Sequence, residues 1–465
     1  MKKKYFWTLY FFSDFLSSTI SWLVFNYYRK TYIEKYPFEI NEKLVISTLL
    51  ISAFWIVVYA AFGNYKNVYK KYRIKEITQT LSQSFIGIIF IFFTFLLDDK
   101  INSYQDYYSL ITVLIALHIS LTFIPRILLT SKTVNSIHQK KIGFNTIIIG
   151  SEKKAKDIFN EIKNLKKGSG QFIIGYVSNA KSKDLIADTG LEKLGDYHQI
   201  TKIIEDLEIE EVIIATESDD YKKTNNIIND LANLKVEIKV IADMYSILTG
   251  SVKMNSIFGA LLISVNPEIM PSWQKTVKRI LDLLISTVAI FLLIPVFIVL
   301  SILIKIGSKG NIIFKQQRIG LGNKPFKIFK FRSMFLESEK NGPQLSSQND
   351  PRITPLGRFI RKTRLDETPQ FFNVIKGDMS LVGPRPERQF FIDEIIKKAP
   401  HYKHISNVKP GITSWGQVKY GYAENVDEMI DRLKFDLLYV ENMSLSLDIK
   451  ILFYTIIIML KGSGK

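Results

Sequence analysis

The chain has 465 residues, of which 47% are hydrophobic, 13% aromatic and 23% charged, and it carries a net charge of +18. That length suits about three domains, and the combination is too apolar for a wholly soluble protein and too charged for one wholly embedded in lipid. The absence of cysteine excludes disulfides, thiolate catalysis and cysteine-ligated zinc or iron–sulfur centres. With five scattered histidines, a metal is expected to be a hard ion on carboxylates and phosphates. The positive charge suits an anionic bilayer, nucleotide substrates or nucleic acid. Basic residues recur beside apolar segments instead of forming one aromatic-interleaved face, which argues against nucleic acid.

Four apolar runs, at about 5–28, 44–63, 79–97 and 107–129, each approach the roughly 20 residues that cross a bilayer as a helix. The first is too long and aromatic for a removed signal peptide and lacks a small-residue cleavage site. Basic MKKK at the start, KNVYKKYRIK at 66–75 and SKTVNSIHQKK after the fourth run place both ends of a 1–130 bundle on the cytoplasmic side, against DDKINSYQD at 98–106. The basic loop RKTYIEK at 29–35 runs against this pattern. Asp14 and His118 fall inside the runs, where ionisable groups can mark function. Asp14 is read as lying near the interface and His118 as a packed histidine.

From 143 to 245 strands alternate with helices. FNTIIIG, QFIIGYV, EEVIIAT and VEIKVIA are the strands, with helices at about 152–166, 197–206 and 220–233, so a doubly wound, Rossmann-like α/β domain is expected. A dinucleotide turn after the first strand needs three glycines, for the turn, the pyrophosphate approach and packing, and GSEKKA has one. A regulatory or dimerising role is therefore expected ahead of cofactor binding. A linker at 246–271 follows.

The third domain, 272–465, opens on an uncharged stretch, Leu283 to Ile304, flanked by Lys275, Lys278 and Arg279 before it and Lys305, Lys309 and Lys315 after it. Both flanks belong on the cytoplasmic side, and Pro295 removes a backbone hydrogen bond near the middle. A re-entrant hairpin at about 280–304, which enters the membrane, breaks and returns, reconciles these features. The final apolar run, in SLDIKILFYTIIIMLKGSGK, is too short to span comfortably and fits an interfacial amphipathic helix.

RLDETPQFFNVIKGDMSLVGPRPE, from Arg364 to Glu387, sets Asp366 and Glu367 ahead of a helix that Thr368 and Pro369 begin and Gly377 ends. Free amides at such a helix start favour negative charge, and both acids are expected to be ionised at neutral pH. Arg358, Arg361 and Lys362 fall at i, i+3 and i+4, which converges cations near the acids. An isolated acid pair is usually solvated surface. This setting points to a phosphate and metal site.

KRILDLLIS, the proline-broken apolar stretch, FKQQRIGLGNKPFKIFKFRSM, DPRITPLGRFIRKTRLDETPQFFNVIKGDMSLVGPRPE, VKPGITSWGQVKYGYAE and FDLLYVENMSLSLDIKIL occur in that order. Together they resemble the bacterial polyprenyl-phosphate sugar-1-phosphate transferases, the monotopic phosphoglycosyl transferases, closely over roughly 272–461. The preceding bundle and α/β domain resemble the long-form members. The resemblance implies transfer of a hexose 1-phosphate from a UDP-sugar to undecaprenyl phosphate, with release of UMP, as the start of exopolysaccharide, capsule or O-antigen synthesis. It also implies a bacterial inner membrane location, with the catalytic domain on the cytoplasmic face, and a homodimer is among the assemblies considered. Asp366 matches the family's nucleophile, which forms a covalent aspartyl-phosphosugar, and Glu367 matches its Mg²⁺ partner. Arg385 of GPRPE matches the nucleotide-recognition element. Arg332, Arg358 and Arg361 are candidate phosphate clamps, and Lys278, Arg279 and Asp282 at the hairpin entrance candidates for receiving the lipid phosphate or anchoring the hairpin. Asp448 is a candidate helper at the metal. Ser333 stands where threonine is commoner in the family, and Ser414 and Gly416 where glycine and alanine often occur. Two other readings use the same features: a membrane-tethered, NAD-dependent nucleotide-sugar enzyme, weakened by the missing glycines and the lack of a Tyr-x-x-x-Lys pair in 143–245, and a non-catalytic scaffold or sensor in polysaccharide export.

Overall fold

The computed structural model describes residues 6–96, 104–179, 184–216, 221–232, 234, 236–241, 262–265, 270–336, 350–421 and 423–460. MKKK, most of the 98–106 loop, the 246–261 part of the expected linker and the last five residues lie outside these. The chain divides into two compact units, Met1–Phe144 with Ile162–Phe172, and Asn145–Glu161 with Ile173–Lys465.

The first unit is built on four helices, α1 (Phe6–Tyr28), α2 (Glu42–Ala61), α3 (Arg73–Ile91) and α4 (Tyr104–His138). Asn41 caps α2, its side chain accepting from Leu44 N. By length and composition Glu42–Ala61, Arg73–Phe95 and Tyr104–His138 can cross a membrane. In α1 the polar residues Asp14, Ser17, Ser18, Ser21 and Asn26 are buried, whereas Trp7, Phe12, Leu16 and Ile20 are exposed. A helix turned inside out in this way satisfies its polar groups within the bundle and leaves its apolar face outward.

Asp14, on α1, faces the interior of the bundle. It is fully buried and clamped by Arg126, with Nε to Oδ1 and Nη2 to Oδ2 both 2.7 Å. Arg126 Nη1 lies 3.7 Å from Glu76 Oε1, and Glu76 in turn pairs with Lys71 at 2.8 Å. Tyr65 donates to Asp14 at 2.9 Å. His118 is packed, stacked on Trp55 at 3.7 Å and hydrogen-bonded to the Tyr59 hydroxyl at 2.9 Å. Two acids and two cations thus neutralise one another where water is excluded, and hold α1, α3 and α4 in one register.

The α/β sheet has six strands: β1 (Phe144–Ile149), β2 (Gln171–Val177), β3 (Lys193–Gly195), β4 (Glu211–Ile214), β5 (Glu237–Ile241) and β6 (Leu262–Ser264), in the order β3-β2-β1-β4-β5-β6. β4 pairs parallel to β1 and β5, whereas β6 runs antiparallel to β5. Its helices are α5 (Lys153–Asn164), α6 (Ile200–Asp206) and α7 (Tyr221–Leu231). Ile147, Ile149, Val212, Ile214 and Ile238 form the interior, as the near-continuous apolar strands of a two-sided sheet require. β6 falls inside the segment expected to be linker; at three residues it is too short to read from periodicity. After β1 the Ser151 carbonyl accepts from Leu185 N and Ile186 N.

The expected hairpin is one helix, α8 (Ser272–Gly307), with Pro295 inside it. Losing one amide does not end a helix whose other bonds close around it. Leu284, Val288, Phe291, Leu292 and Ile298 are exposed along α8, whereas both flanks are anchored on the domain that follows. That domain comprises the antiparallel hairpin β7 (Ile313–Ile319) and β8 (Pro325–Phe331), then α9 (Pro355–Lys362) and α10 (Gln370–Lys376). A parallel pair, β9 (Ser380–Val382) and β10 (Gly411–Thr413), alternates with α11 (Gln389–Lys398) and α12 (Trp415–Lys419), before α13 (Val426–Glu441) and α14 (Leu445–Leu460). Arg279 on the first flank donates to the carbonyls of Val374 and Ile375 at the end of α10; past Pro295, Phe297 packs on Phe372 of α10 and on Phe331, and on the second flank Ser308 and Lys309 accept from Arg332.

Candidate active site

Asp366 and Glu367 lie on the short 3₁₀ turn Leu365–Glu367, both buried. Thr354 caps α9, accepting from Gly357 N at 2.9 Å, and Arg364 then takes a left-handed φ of 56° that turns the chain inward. Thr368 does not cap free amides as expected: its hydroxyl donates to Leu365 O at 2.7 Å and closes the acid turn instead. α10 starts only at Gln370 and ends at Lys376, followed by Gly377, whose φ of 96° suits a helix C-terminus.

Lys330 Nζ donates to Glu367 Oε1 at 2.9 Å, and Arg385 Nη1 lies 3.6 Å from the same oxygen. Burial alone would push Glu367 up, but Lys330, Arg385 and Arg364 outweigh it and hold its carboxyl down to about 2. Asp366 is pushed up to about 6 by burial and by the adjacent Glu367 charge, with Lys330, Arg361 and Arg385 pulling the other way. Both acids are therefore mainly ionised at pH 7, as expected from sequence, but their protonation is split between two environments. One half-buried cation cluster serves both acids.

The GPRPE turn is held from behind. Glu387 accepts from Arg432 Nη2 at 2.5 Å and from Arg318 Nη1 at 3.2 Å, and these cations with Arg385 keep it below the usual carboxylate range despite burial. Gly383 and Gly411 let the turn and β10 touch backbone to backbone: a Cβ on either would meet the other segment's main chain. Beside Arg385 a pocket opens, lined among others by Pro384, Pro386, Tyr402, Ile405 and Ser406.

Other expected site residues stand elsewhere. Arg332, a candidate phosphate clamp, donates to Ile304 O, Ser308 O, Ser308 Oγ and Lys309 O, which caps α8. Arg358 is exposed on α9, whereas Arg361 acts on Asp366 electrostatically. Lys278 bonds Asp448 Oδ2 at 2.6 Å and Val382 O at 2.9 Å, and Tyr439 donates to Asp448 Oδ1 at 2.7 Å. Asp448 is thereby committed to joining α8, α13 and α14, and among the described residues no group of three His, Cys, Asp or Glu could hold a metal ion. Asp282 accepts from Ser380 Oγ and Leu381 N, so with Arg279 it anchors the start of α8 to β9 and α10.

Lys330, Arg318, Glu387 and Arg432 were not singled out from sequence. Lys330 shares the strand parity of Phe326 and buried Ile328 in β8, and a lysine on an apolar face is a readable signal of a buried partner. Arg432 joins the site from a distant helix and carries no such local mark. At Gly416 an added Cβ would lie 2.7 Å from Arg432 Cγ and 2.9 Å from Asp436 Oδ1. Gly416→Ala is therefore expected to lower stability by about 1–3 kcal/mol through overpacking, read as a fall in the thermal midpoint in detergent; an unchanged midpoint would show that Arg432 yields freely.

The pair of acids also suits Mg²⁺, which commonly takes one or two carboxylates and completes its shell with substrate phosphates and water. Residues 273–462 match the family described as Bacterial sugar transferase, and residues 60–242 one described as CoA-binding domain. The chain is 43% identical over 235 residues to an Aeromonas hydrophila protein named UDP-N-acetylgalactosamine-undecaprenyl-phosphate N-acetylgalactosaminephosphotransferase, covering 50% of this chain and 54% of that one. It is 32% identical to UDP-glucose:undecaprenyl-phosphate glucose-1-phosphate transferase of Escherichia coli, over 57% of this chain and 61% of that one. These alignments thus span little more than half of either relative. With undecaprenyl-phosphate galactose phosphotransferase of Salmonella typhimurium it shares 30% identity, over 69% of this chain and 68% of that protein. Carrying the acid pair and cations on this framework of membrane helices, the chain belongs to the bacterial sugar transferase family.

Proposed function

We propose that the chain transfers a sugar 1-phosphate from a UDP-sugar to a polyprenyl phosphate, in the bacterial inner membrane and from its cytoplasmic face. The observation that carries this reading is the buried Asp366–Glu367 pair ringed by Lys330, Arg361 and Arg385. An Asp366 carboxylate oxygen attacks the β-phosphorus, the bond from that phosphorus to the bridging oxygen breaks, and UMP leaves with the electron pair. An oxygen of the lipid phosphate then attacks the same phosphorus and the bond to Asp366 breaks, which regenerates the carboxylate. Lys330 and Arg385 lie where negative charge accumulates, and the pocket beside Arg385 accepts the nucleotide. Glu367 and the diphosphate would hold Mg²⁺, which when bound neutralises charge on the leaving group.

α8 is read as re-entrant. Arg279 on its first flank and Phe297 past Pro295 both reach α10, while a straight helix would part these residues by about 27 Å. A bend at Pro295 with an exposed apolar vertex keeps both ends on one membrane face and the acids beside it. The sugar expected from sequence is a hexose; the relatives' names include glucose, galactose and N-acetylgalactosamine.

The test is UMP release by the full chain in lipid nanodiscs, with Mg²⁺, undecaprenyl phosphate and UDP-glucose, UDP-galactose, UDP-N-acetylglucosamine or UDP-N-acetylgalactosamine. Release with at least one donor is expected, and labelled sugar phosphate should stay on the protein when the lipid is withheld. Silence across the panel in folded protein would overturn the reading and favour the scaffold. Lys330→Met is expected to lower kcat/KM about 10–100-fold and to move the acid limb of the pH profile above pH 6, because Lys330 pulls Asp366 down. An unmoved limb would show that Lys330 does not act on Asp366.

A further inference from the structure

The 3₁₀ helix Pro400–Asn407 is eight residues long, whereas such helices rarely exceed three or four residues because their hydrogen bonds are poorly aligned. Something outside the helix must hold it. On one side Tyr402, Ile405 and Ser406 line the pocket beside Arg385. Tyr402 is buried and feels the charges of Glu387, Arg432 and Arg318, the group behind the GPRPE turn. On the other side Lys403 Nζ lies 3.1 Å from Asp230 Oδ1, and His404 Nε2 lies 3.1 Å from Asn229 Oδ1. Both partners are on α7 of the α/β domain. Asp230 is steadied in turn by the Tyr197 hydroxyl, 3.1 Å from its other oxygen. In a 3₁₀ helix residues three apart eclipse, so Tyr402 and Ile405 share the face on the pocket, Lys403 and Ser406 share the next, from which the long Lys403 side chain reaches α7, and His404 stands on the third. The helix is a thin wall with the pocket on one side and α7 on the other.

We propose that the α/β domain positions the nucleotide pocket: α7, through Asn229 and Asp230, holds Pro400–Asn407 in the shape that accepts the uridine diphosphate end of the donor. Lys403, His404, Asn229 and Asp230 are positioning residues, which set donor affinity without touching the reacting atoms. This rests on the transferase reading for the nature of the pocket's ligand. It gives the α/β domain a role that needs no cofactor of its own.

The test uses the full chain in nanodiscs and UDP as a probe, so that it does not depend on turnover. Native chain, Asp230→Lys, Lys403→Asp and the charge-swapped double variant are compared by calorimetric UDP affinity and by hydrogen exchange of the 401–408 amides. Because the pair is partly exposed, each single variant is expected to weaken UDP binding about three- to fivefold and to speed exchange at 401–408 while β4 and β5 stay protected. The swap should recover most of both effects, and where UMP release is seen, KM should rise with kcat nearly unchanged. Unchanged UDP affinity and exchange in both single variants would overturn the proposal, as would a swap that recovers neither, or a native chain that binds no UDP. A native chain that binds UDP and responds to Asp230→Lys but releases no UMP from any donor would overturn the transferase reading alone.

Discussion

Asp366→Asn is expected to lower UMP release by at least about 10³-fold, since an amide cannot form the acyl phosphate, while leaving the fold at least as stable as the native chain at pH 8. The second half follows from the sign of the shift. The folded-state pKa of Asp366, about 6, lies above its unfolded value, so its ionised form is disfavoured in the fold and stability falls as pH rises from about 4 to 6. Asparagine removes that penalty together with the repulsion of Glu367. Glu367, held at about 2, works in the opposite sense: it contributes stability above its unfolded pKa that is lost only as pH falls through about 2. In the native chain the rate should decline about tenfold per unit below pH 6, as the nucleophile takes up its proton. Thermal unfolding and UMP release across pH 4.5–8 read both effects; a variant that keeps more than a few percent of native activity would remove Asp366 from the nucleophile's role.

Arg126→Ala is expected to destabilise the membrane bundle by about 3–5 kcal/mol, because it strands the Asp14 carboxylate in a buried site with Glu76 beside it. The paired variant Asp14→Asn/Arg126→Met should recover most of that loss, since removing both charges of a buried pair is far cheaper than removing one. Thermal or detergent-induced unfolding in mixed micelles, followed by protease access to the 29–41 connection, separates the outcomes. Single and double variants that unfold alike would show that volume, not charge, sets the effect.

Much of the site's chemistry can be read along the chain because it is local. Asp366, Glu367, Arg361 and Arg385 lie within about two dozen residues, in a segment whose threonine, prolines and glycines mark its turns. The apolar runs at 44–63, 79–97 and 107–129 announce helices by length alone, and the strand and helix periods of 143–245 announce a doubly wound sheet. The misses share one physical origin. Asp14 and Arg126 are 112 residues apart, and nothing in either helix says that the other charge will meet it. Arg332 reads as a phosphate ligand beside basic neighbours, but the end of α8 has carbonyls that need donors and arginine has five. Nothing local to Asp448 announces Lys278 and Tyr439, which are brought to it from two other helices.

The sequence by itself determined the element types, the membrane runs and the pairing of the two acids, because backbone propensity, hydrophobic periodicity and turn chemistry act over a few residues. Tertiary structure alone decided which cations serve those acids, which charges hold the bundle, and that the wall of the pocket leans on the α/β domain. Those outcomes depend on which groups lose water together, and only the packed chain settles that.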